Sequence, residues 1–266
     1  MRKTIQIRLL NISLIILVGF GVFALYMSYT TQTTHEEEVA ATAEEYDYED
    51  IQEMVSLPQK AEYTPPYDIE EMRSINEDFK GWLWIPDTVV NYPVVQTDNN
   101  STYLTTSFQG EYSSYGSLFL DKDSTSGSRN RVIHGHNMGS TRTEMFSTLV
   151  NYQDPTWAGE RSIAYFTEPD TMKDSQYRLF AVLNFDINDL DTFNYMTTSF
   201  ENDESVRSFI DYLKEHSLYE TEFYPERDTL ILSTCNRTYG QDNRLLICFG
   251  RITDKPKSAV KETAIS

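Results

Sequence analysis

The chain has 266 residues, of which 39% are hydrophobic and 13% aromatic, enough to build a globular core and to exclude wholesale disorder. It carries 22 basic against 41 acidic residues, a net charge of -19, which argues against binding nucleic acid through its phosphates. Only two cysteines, Cys235 and Cys248, are present, which excludes a disulfide-dense scaffold and a cysteine-rich zinc module.

Arg2, Lys3 and Arg8 precede an uncharged, apolar run over 9–29, 21 residues long. About 20 residues at 1.5 Å each span a bilayer core. The run is longer than a signal-peptide core and lacks a small-x-small cleavage site behind it, so the sequence predicts a retained transmembrane signal-anchor. The basic side, 1–8, then stays in the cytoplasm and everything after about residue 30 lies outside the membrane. Residues 30–67 read as a solvated stalk. Between residues 31 and 59 there are nine acids and no Lys or Arg, about half of the chain's excess negative charge. That charge offers no attraction to anionic lipid or anionic wall polymers. A helical stretch fits around residues 46–55, and Tyr63-Thr-Pro-Pro-Tyr67 reads as a turn or extended spacer.

Asp68 can cap a helix with Ile69, Met72, Ile75 and Phe79 on one stripe. After Lys80 the pattern becomes extended. Strands are predicted over 81–85, 89–96, 117–121, 131–135, 162–167, 176–186, 229–234 and 245–252, rich in Val, Ile, Tyr and Phe and separated by Asn, Asp, Ser and Gly. Eight such strands suggest a mainly β fold with a closed or nearly closed barrel. A short helix is predicted through Met145, Phe146 and Leu149. A longer one is capped by Asn202 or Asp203 and carries Val206, Phe209, Ile210 and Leu213 at i, i+3, i+4 and i+7. The polar tail, 256–266, reads as frayed.

Of four histidines, His35 lies in the acidic stretch and His216 ends the long helix; both read as solvated. His134 and His136 flank Gly135 at a strand end. Two His at i, i+2 on a strand share a face, a start for a metal site, but Asp121 and Asp123 make a weak third ligand and no metal is expected. Cys248 sits in an apolar strand as a small core residue. Cys235 ends its strand, at a rim. If the last two strands form a hairpin, Cys235 opposes about Arg244, and Cys248 lies four residues further along, about 13 Å at about 3.3 Å per residue. A disulfide needs Cα atoms within about 7 Å, so two free thiols are expected. A free thiol in an exported chain needs a reason, and catalysis is one. A thiol, an imidazole and a guanidinium that converge can attack a carbonyl, protonate a leaving amine and hold an oxyanion.

Leu232-Ser-Thr-Cys235, Arg244 nine residues later, and Gly135-His136-Asn-Met138 resemble the active-site signatures of sortases, membrane-anchored cysteine transpeptidases of Gram-positive bacteria. Asn76-x-Asp78-x-x-Gly81-Trp82-Leu83, Tyr92-Pro-Val-Val-Gln96, Asn99-Asn-Ser-Thr-Tyr-Leu104, Gly116-Ser-Leu-Phe-Leu-Asp121 and the helix over 203–216 resemble the class B branch. The resemblance covers roughly 68–252 and implies a catalytic domain over 68–255: an eight-stranded sortase β-barrel, an N-terminal helical piece, and a long helix between the sixth and seventh strands. It implies Cys235 as nucleophile, His136 as acid/base and Arg244 as oxyanion or substrate-positioning residue, with Asn100, Leu104, Ser233 and Thr234 in the substrate groove and no cofactor. The implied reaction is a thiol-peptidase type of cleavage of the C-terminal sorting signal of surface proteins. The acyl group passes through a thioacyl-enzyme to an amine of peptidoglycan precursor, or of a pilin lysine, or to water. No Asp-Pro-x-aromatic lid motif precedes Gly81, which favours wall anchoring over pilus assembly. Two departures bear on the substrate motif: His134 stands where the class often has Tyr, and Asn236 follows the Cys where some members carry an acid.

Overall fold

The computed structural model describes residues 68–167, 174–236 and 240–252. The predicted anchor, acidic stalk and polar tail lie outside the described residues. Among the described residues no helix is long and apolar enough to cross a membrane.

All eight predicted strands form: β1 (Phe79–Trp84), β2 (Asn91–Val95), β3 (Leu118–Leu120), β4 (Asn130–His134), β5 (Ile163–Thr167), β6 (Asp174–Asp186), β7 (Thr229–Cys235) and β8 (Asn243–Arg251). They close into a barrel in the order β1-β2-β3-β4-β7-β8-β6-β5. The pairs β2/β3 and β4/β7 are parallel; the other pairs are antiparallel. Closure leaves no exposed sheet edge.

Helix α1 (Ile69–Ile75) starts where Asp68 accepts from the amides of Glu70 and Glu71. The predicted helix through Met145 is a correction. Met145 has a positive φ of 55° and pairs as a β-bridge with Asn137, so the helical turns begin only afterwards, as a 3-10 segment at Ser147–Gln153. That segment runs into α2 (Pro155–Glu160), which the sequence reading missed; Asp154 caps it and Pro155 occupies its first turn. The long helix α3 (Asp203–Glu215) lies between β6 and β7 as predicted, with Asn202 and Ser205 closing a reciprocal cap.

Strand alternation divides the core into two layers. Ile133, Leu230, Leu232, Leu245, Ile247 and Phe249 point into the barrel. Val132, Ile231, Leu246 and Cys248 point outward, against Val206, Phe209, Ile210 and Leu213 of α3. On β6 a register shift between Leu179 and Ala181 reverses the parity, so Tyr177 and Leu179 face inward before it and Val182 after it. The neighbouring strands β4, β7, β8 and β6 therefore place apolar side chains in both layers.

Candidate active site

The site forms where α3's cover stops, on the outer face of three adjacent strands. In the parallel β4/β7 pair His134 is level with Ser233, and the amide of Gly135 continues the ladder to the Ser233 carbonyl at 3.2 Å. His136 follows two residues on, past the end of β4, and lines the same cleft as Cys235. In the antiparallel β7/β8 pair Cys235 directly opposes Arg244. Directly opposed residues have Cβ atoms about 4.5–5.5 Å apart on one face. Cys235, His136 and Arg244 thus reach one cleft of about 330 Å³, which they line together with Asn100, Leu104, His134, Ser233 and Thr234. All seven sequence-nominated residues, and His134 with them, meet in this one place.

Side-chain to backbone hydrogen bonds lock the ends of β4 and β7. The Thr234 hydroxyl donates to the Gly135 carbonyl at 2.8 Å, and the Asn137 amide donates to the Cys235 carbonyl at 3.0 Å. Gly135 has no room for a side chain: a Cβ there would lie 2.4 Å from Leu118 and 2.6 Å from Phe146. A glycine is what lets the two histidines flank a backbone pressed onto the core.

His136 Nε2 lies 2.8 Å from the Leu104 carbonyl oxygen. A carbonyl only accepts, so Nε2 carries the proton and Nδ1 is the nitrogen left to exchange one. Leu104 ends the 3-10 turn Thr102–Leu104, which three of the sequence motifs converge to fix. Tyr103 donates to the Asp78 carboxylate at 2.9 Å and accepts from Asn76 at 2.9 Å. Gly116, at φ +58°, passes so close that a Cβ would lie 2.3 Å from the Tyr103 carbonyl. The Leu104 carbonyl, nominated only as part of a substrate-groove residue, is the partner of His136; no side-chain pattern announces a backbone acceptor.

Arg244 Nη1 donates to the carbonyls of Gln241 at 2.9 Å and Asn243 at 3.2 Å, which pins one end of the guanidinium. Arg has five N–H donors, so donors remain for a substrate oxygen. The nominated groove residues are not all free. The Ser233 hydroxyl, on a residue 3% exposed, bonds the buried Tyr195 hydroxyl at 3.1 Å, and Thr234 is spent on Gly135. Burial pushes the Tyr195 phenol up, against the opposing pull of the Ser233 hydrogen bond and the Arg244 charge, so it stays protonated beneath the cleft. Asn100 donates to Asp121 at 2.8 Å and accepts from the Lys122 amide at 2.8 Å.

Cys235 is half-buried, Cys248 is buried, and both are free thiols. Cys248 pairs with Ile231, four residues from Cys235 along β7, as the hairpin argument required. Burial pushes the Cys248 thiol far up. Among the described residues no group of three or more His, Cys, Asp or Glu side chains is placed to hold a metal. His216 is exposed at the end of α3, stacked on Tyr212, away from this site.

A family model described as the sortase domain matches residues 83–251. Sortase B of Staphylococcus aureus is 28% identical over 252 residues, covering 92% of this chain and 95% of that protein. Among solved structures, sortase B of Clostridium perfringens aligns at a TM-score of 0.64 and 24% identity, covering 70% of this chain and 100% of that one. A Staphylococcus aureus sortase B–substrate complex aligns at 0.61 and 27% identity, covering 70% and 85%. The strand order, the cleft and these likenesses agree: the chain belongs to the sortase family, and its relatives there are class B members.

Proposed function

We propose that this chain is a class B cysteine transpeptidase that cleaves the C-terminal sorting signal of surface proteins and joins the product to an amine of peptidoglycan precursor. The observation that supports this reading is the one cleft that Cys235, opposed to Arg244 across β7 and β8, lines together with His136. In the first step Cys235 Sγ attacks the scissile carbonyl carbon as its proton passes to His136. Remaining N–H donors of Arg244 meet the oxygen as it gains charge. The C–N bond breaks, and the leaving amine takes the proton from His136 Nδ1. In the second step an amine attacks the thioester and gives a proton to His136 Nδ1; the C–S bond breaks, and the Cys235 thiolate takes that proton from the imidazolium. The Leu104 carbonyl holds the ring in one tautomer throughout, the part a carboxylate plays in serine hydrolases. The basic residues before the apolar run 9–29 support a single-pass anchor with the catalytic domain outside the membrane.

The test uses the full-length chain in detergent and a library of quenched sorting-signal peptides, with Cys235→Ala in parallel and mass spectrometry of Cys235. A thioacyl adduct that an added amine resolves into a new amide establishes the transpeptidase. Resolution by water alone, amine present, makes it a thiol peptidase. Preference for a pilin-type lysine over a peptidoglycan-type amine makes it a pilin polymerase. No adduct on any peptide, with Cys235 still open to alkylation, overturns the reading.

A further inference from the structure

The turn that partners His136 is itself tied to the start of the barrel. Tyr103 precedes Leu104 in that turn, so its placement helps to fix the Leu104 carbonyl, which lies 2.8 Å from His136 Nε2. The Tyr103 side chain is 5% exposed and packs with Val95 and Phe119, with Phe108 against them. Its hydroxyl donates to Asp78 Oδ2 at 2.9 Å and accepts from Asn76 Nδ2 at 2.9 Å. Asn76 caps the end of α1, and Asp78 stands just before β1. Both are held in turn. Asn76 Oδ1 accepts from the Asp78 amide at 2.9 Å, and Asn76 Nδ2 also donates to the Phe108 carbonyl at 2.9 Å. The Asp78 carbonyl accepts from the Gln96 amide at 3.0 Å, just past β2, and the Tyr103 carbonyl accepts from the Ser117 amide at 2.9 Å. Burial pushes the Tyr103 phenol up; the Asn76 hydrogen bond opposes this, and the hydrogen bond and charge of Asp78 add to it, so the hydroxyl still donates at pH 9. Asn76, Asp78 and Tyr103 do not line the cleft.

We propose that Tyr103 is a positioning residue: tied to Asp78 and Asn76, it holds the Leu104 carbonyl against His136 and so keeps the ring in the tautomer that leaves Nδ1 to exchange protons. The inference rests on the transpeptidase reading and deepens it, because it extends the working parts from the cleft to the junction of α1 with β1. A backbone carbonyl has no side chain of its own to steer it. Here the buried side chain next to it does the steering, through a hydroxyl fixed at a point outside the turn. Cys235 and Arg244 are set opposite each other by the β7/β8 register, which does not involve Tyr103. Cutting the tie should therefore slow the steps in which a proton passes through His136 and spare a step that needs none.

The test uses the full-length chain in detergent, the most reactive peptide of the sorting-signal library at pH 7.5, and its thioester analogue, with sulfur in place of the scissile N–H, at pH 9. Acylation of Cys235 at saturating substrate is read by mass spectrometry, each variant against wild type in the same assay. With the peptide, Cys235 Sγ displaces an amine that must gain a proton to leave. With the thioester, the new C–S bond forms as the old one breaks, and the leaving thiolate departs without a proton, since an ordinary thiol is ionised at pH 9. Tyr103→Phe keeps the ring between Val95 and Phe119 and removes the hydroxyl. It should slow acylation by the peptide about tenfold, with half-saturation unchanged, and leave acylation by the thioester at the wild-type rate. Asp78→Ala should match it, and the double variant should be no slower than either, because both cut one tie. Asp78→Asn still offers the hydroxyl an oxygen and should keep most of the peptide rate. A Tyr103 that only supports the fold would lose both substrates alike. Equal losses on the two substrates, a loss confined to half-saturation, or a wild-type peptide rate in Tyr103→Phe overturns this inference and leaves the transpeptidase reading standing. A wild-type chain that forms no Cys235 adduct with either substrate sinks both.

Discussion

Cys235 and Cys248 stand on one hairpin, on the same outer face of the barrel, yet only one of them meets solvent. At the Cys248 end that face is covered by α3, with Val206, Phe209, Ile210 and Leu213 packed over Ile231 and Leu246. Low-dielectric surroundings disfavour the thiolate, and the Cys248 thiol is pushed far up. At the Cys235 end the cover stops, and the same face opens into a cleft furnished with His136 and Arg244. Position on the barrel does not distinguish the two thiols. What distinguishes them is whether a helix lies on top, and which polar groups stand where it does not.

The largest effects should come from breaking the open end. Cys235→Ala or His136→Ala should abolish turnover while thermal unfolding stays near that of wild type, because neither side chain is part of the apolar core. Peptide turnover and a melting curve on the same sample check this; near-normal turnover in either variant removes that residue from the proposed chemistry. Arg244→Ala should cost about 10²–10³-fold in kcat if the guanidinium meets the oxyanion. A loss confined to KM would reassign it to holding the ground-state peptide.

Gly135→Ala tests the backbone that joins the two ends. Its methyl would press on Leu118 and Phe146, both buried in the core with little room to withdraw. A loss of about 1–3 kcal/mol is expected from overpacking, with slower turnover as His136 is displaced. Denaturant titration measures the first and peptide kinetics the second. At the covered end Cys248→Ser should lower stability by about 1–3 kcal/mol, since it buries a hydroxyl with no partner in an apolar layer. Turnover should survive, and that survival is what separates the two cysteines. Alkylation of native protein should label Cys235 and spare Cys248.

Much of this contrast was legible in the sequence. The hairpin register followed from strand patterning, so Cys235 opposite Arg244 and Cys248 four residues away were both foreseen. The eight strands announced themselves by runs of Val, Ile, Tyr and Phe between polar breaks, and α3 by the spacing of its apolar stripe. What escaped was set by tertiary contact. Met145 takes a left-handed backbone to bridge Asn137, against its helical neighbourhood. The parity switch on β6 comes from a bulge that an apolar strand buried on both faces does not reveal. Asp121 read as a weak metal ligand is instead the buried acceptor of His134, and the Leu104 carbonyl is a partner without a side-chain signature. The first 67 residues, with the predicted anchor and stalk, lie outside the described residues.

The smallest expected effect is also the most diagnostic of charge at the open end. Asp121 is held below the ordinary carboxylate value, despite its burial, by donors from His134, the Asp123 amide and Asn100. A carboxyl depressed in the folded state stabilises fully above its unfolded value, about 3.9, and loses that contribution as pH falls through the lower folded value. Asp121→Asn removes the titration. The stability gap between wild type and Asp121→Asn should therefore shrink as the pH falls below about 4. Urea unfolding across that range reads it directly. A gap that is flat through pH 3 would mean that the donors around Asp121 satisfy a neutral carboxyl as well as an ionised one. The fixed negative charge behind His134 would then be lost from the account of the cleft, while the covered end of the hairpin, where apolar side chains of α3 pack over Ile231, Leu246 and Cys248, would be unchanged.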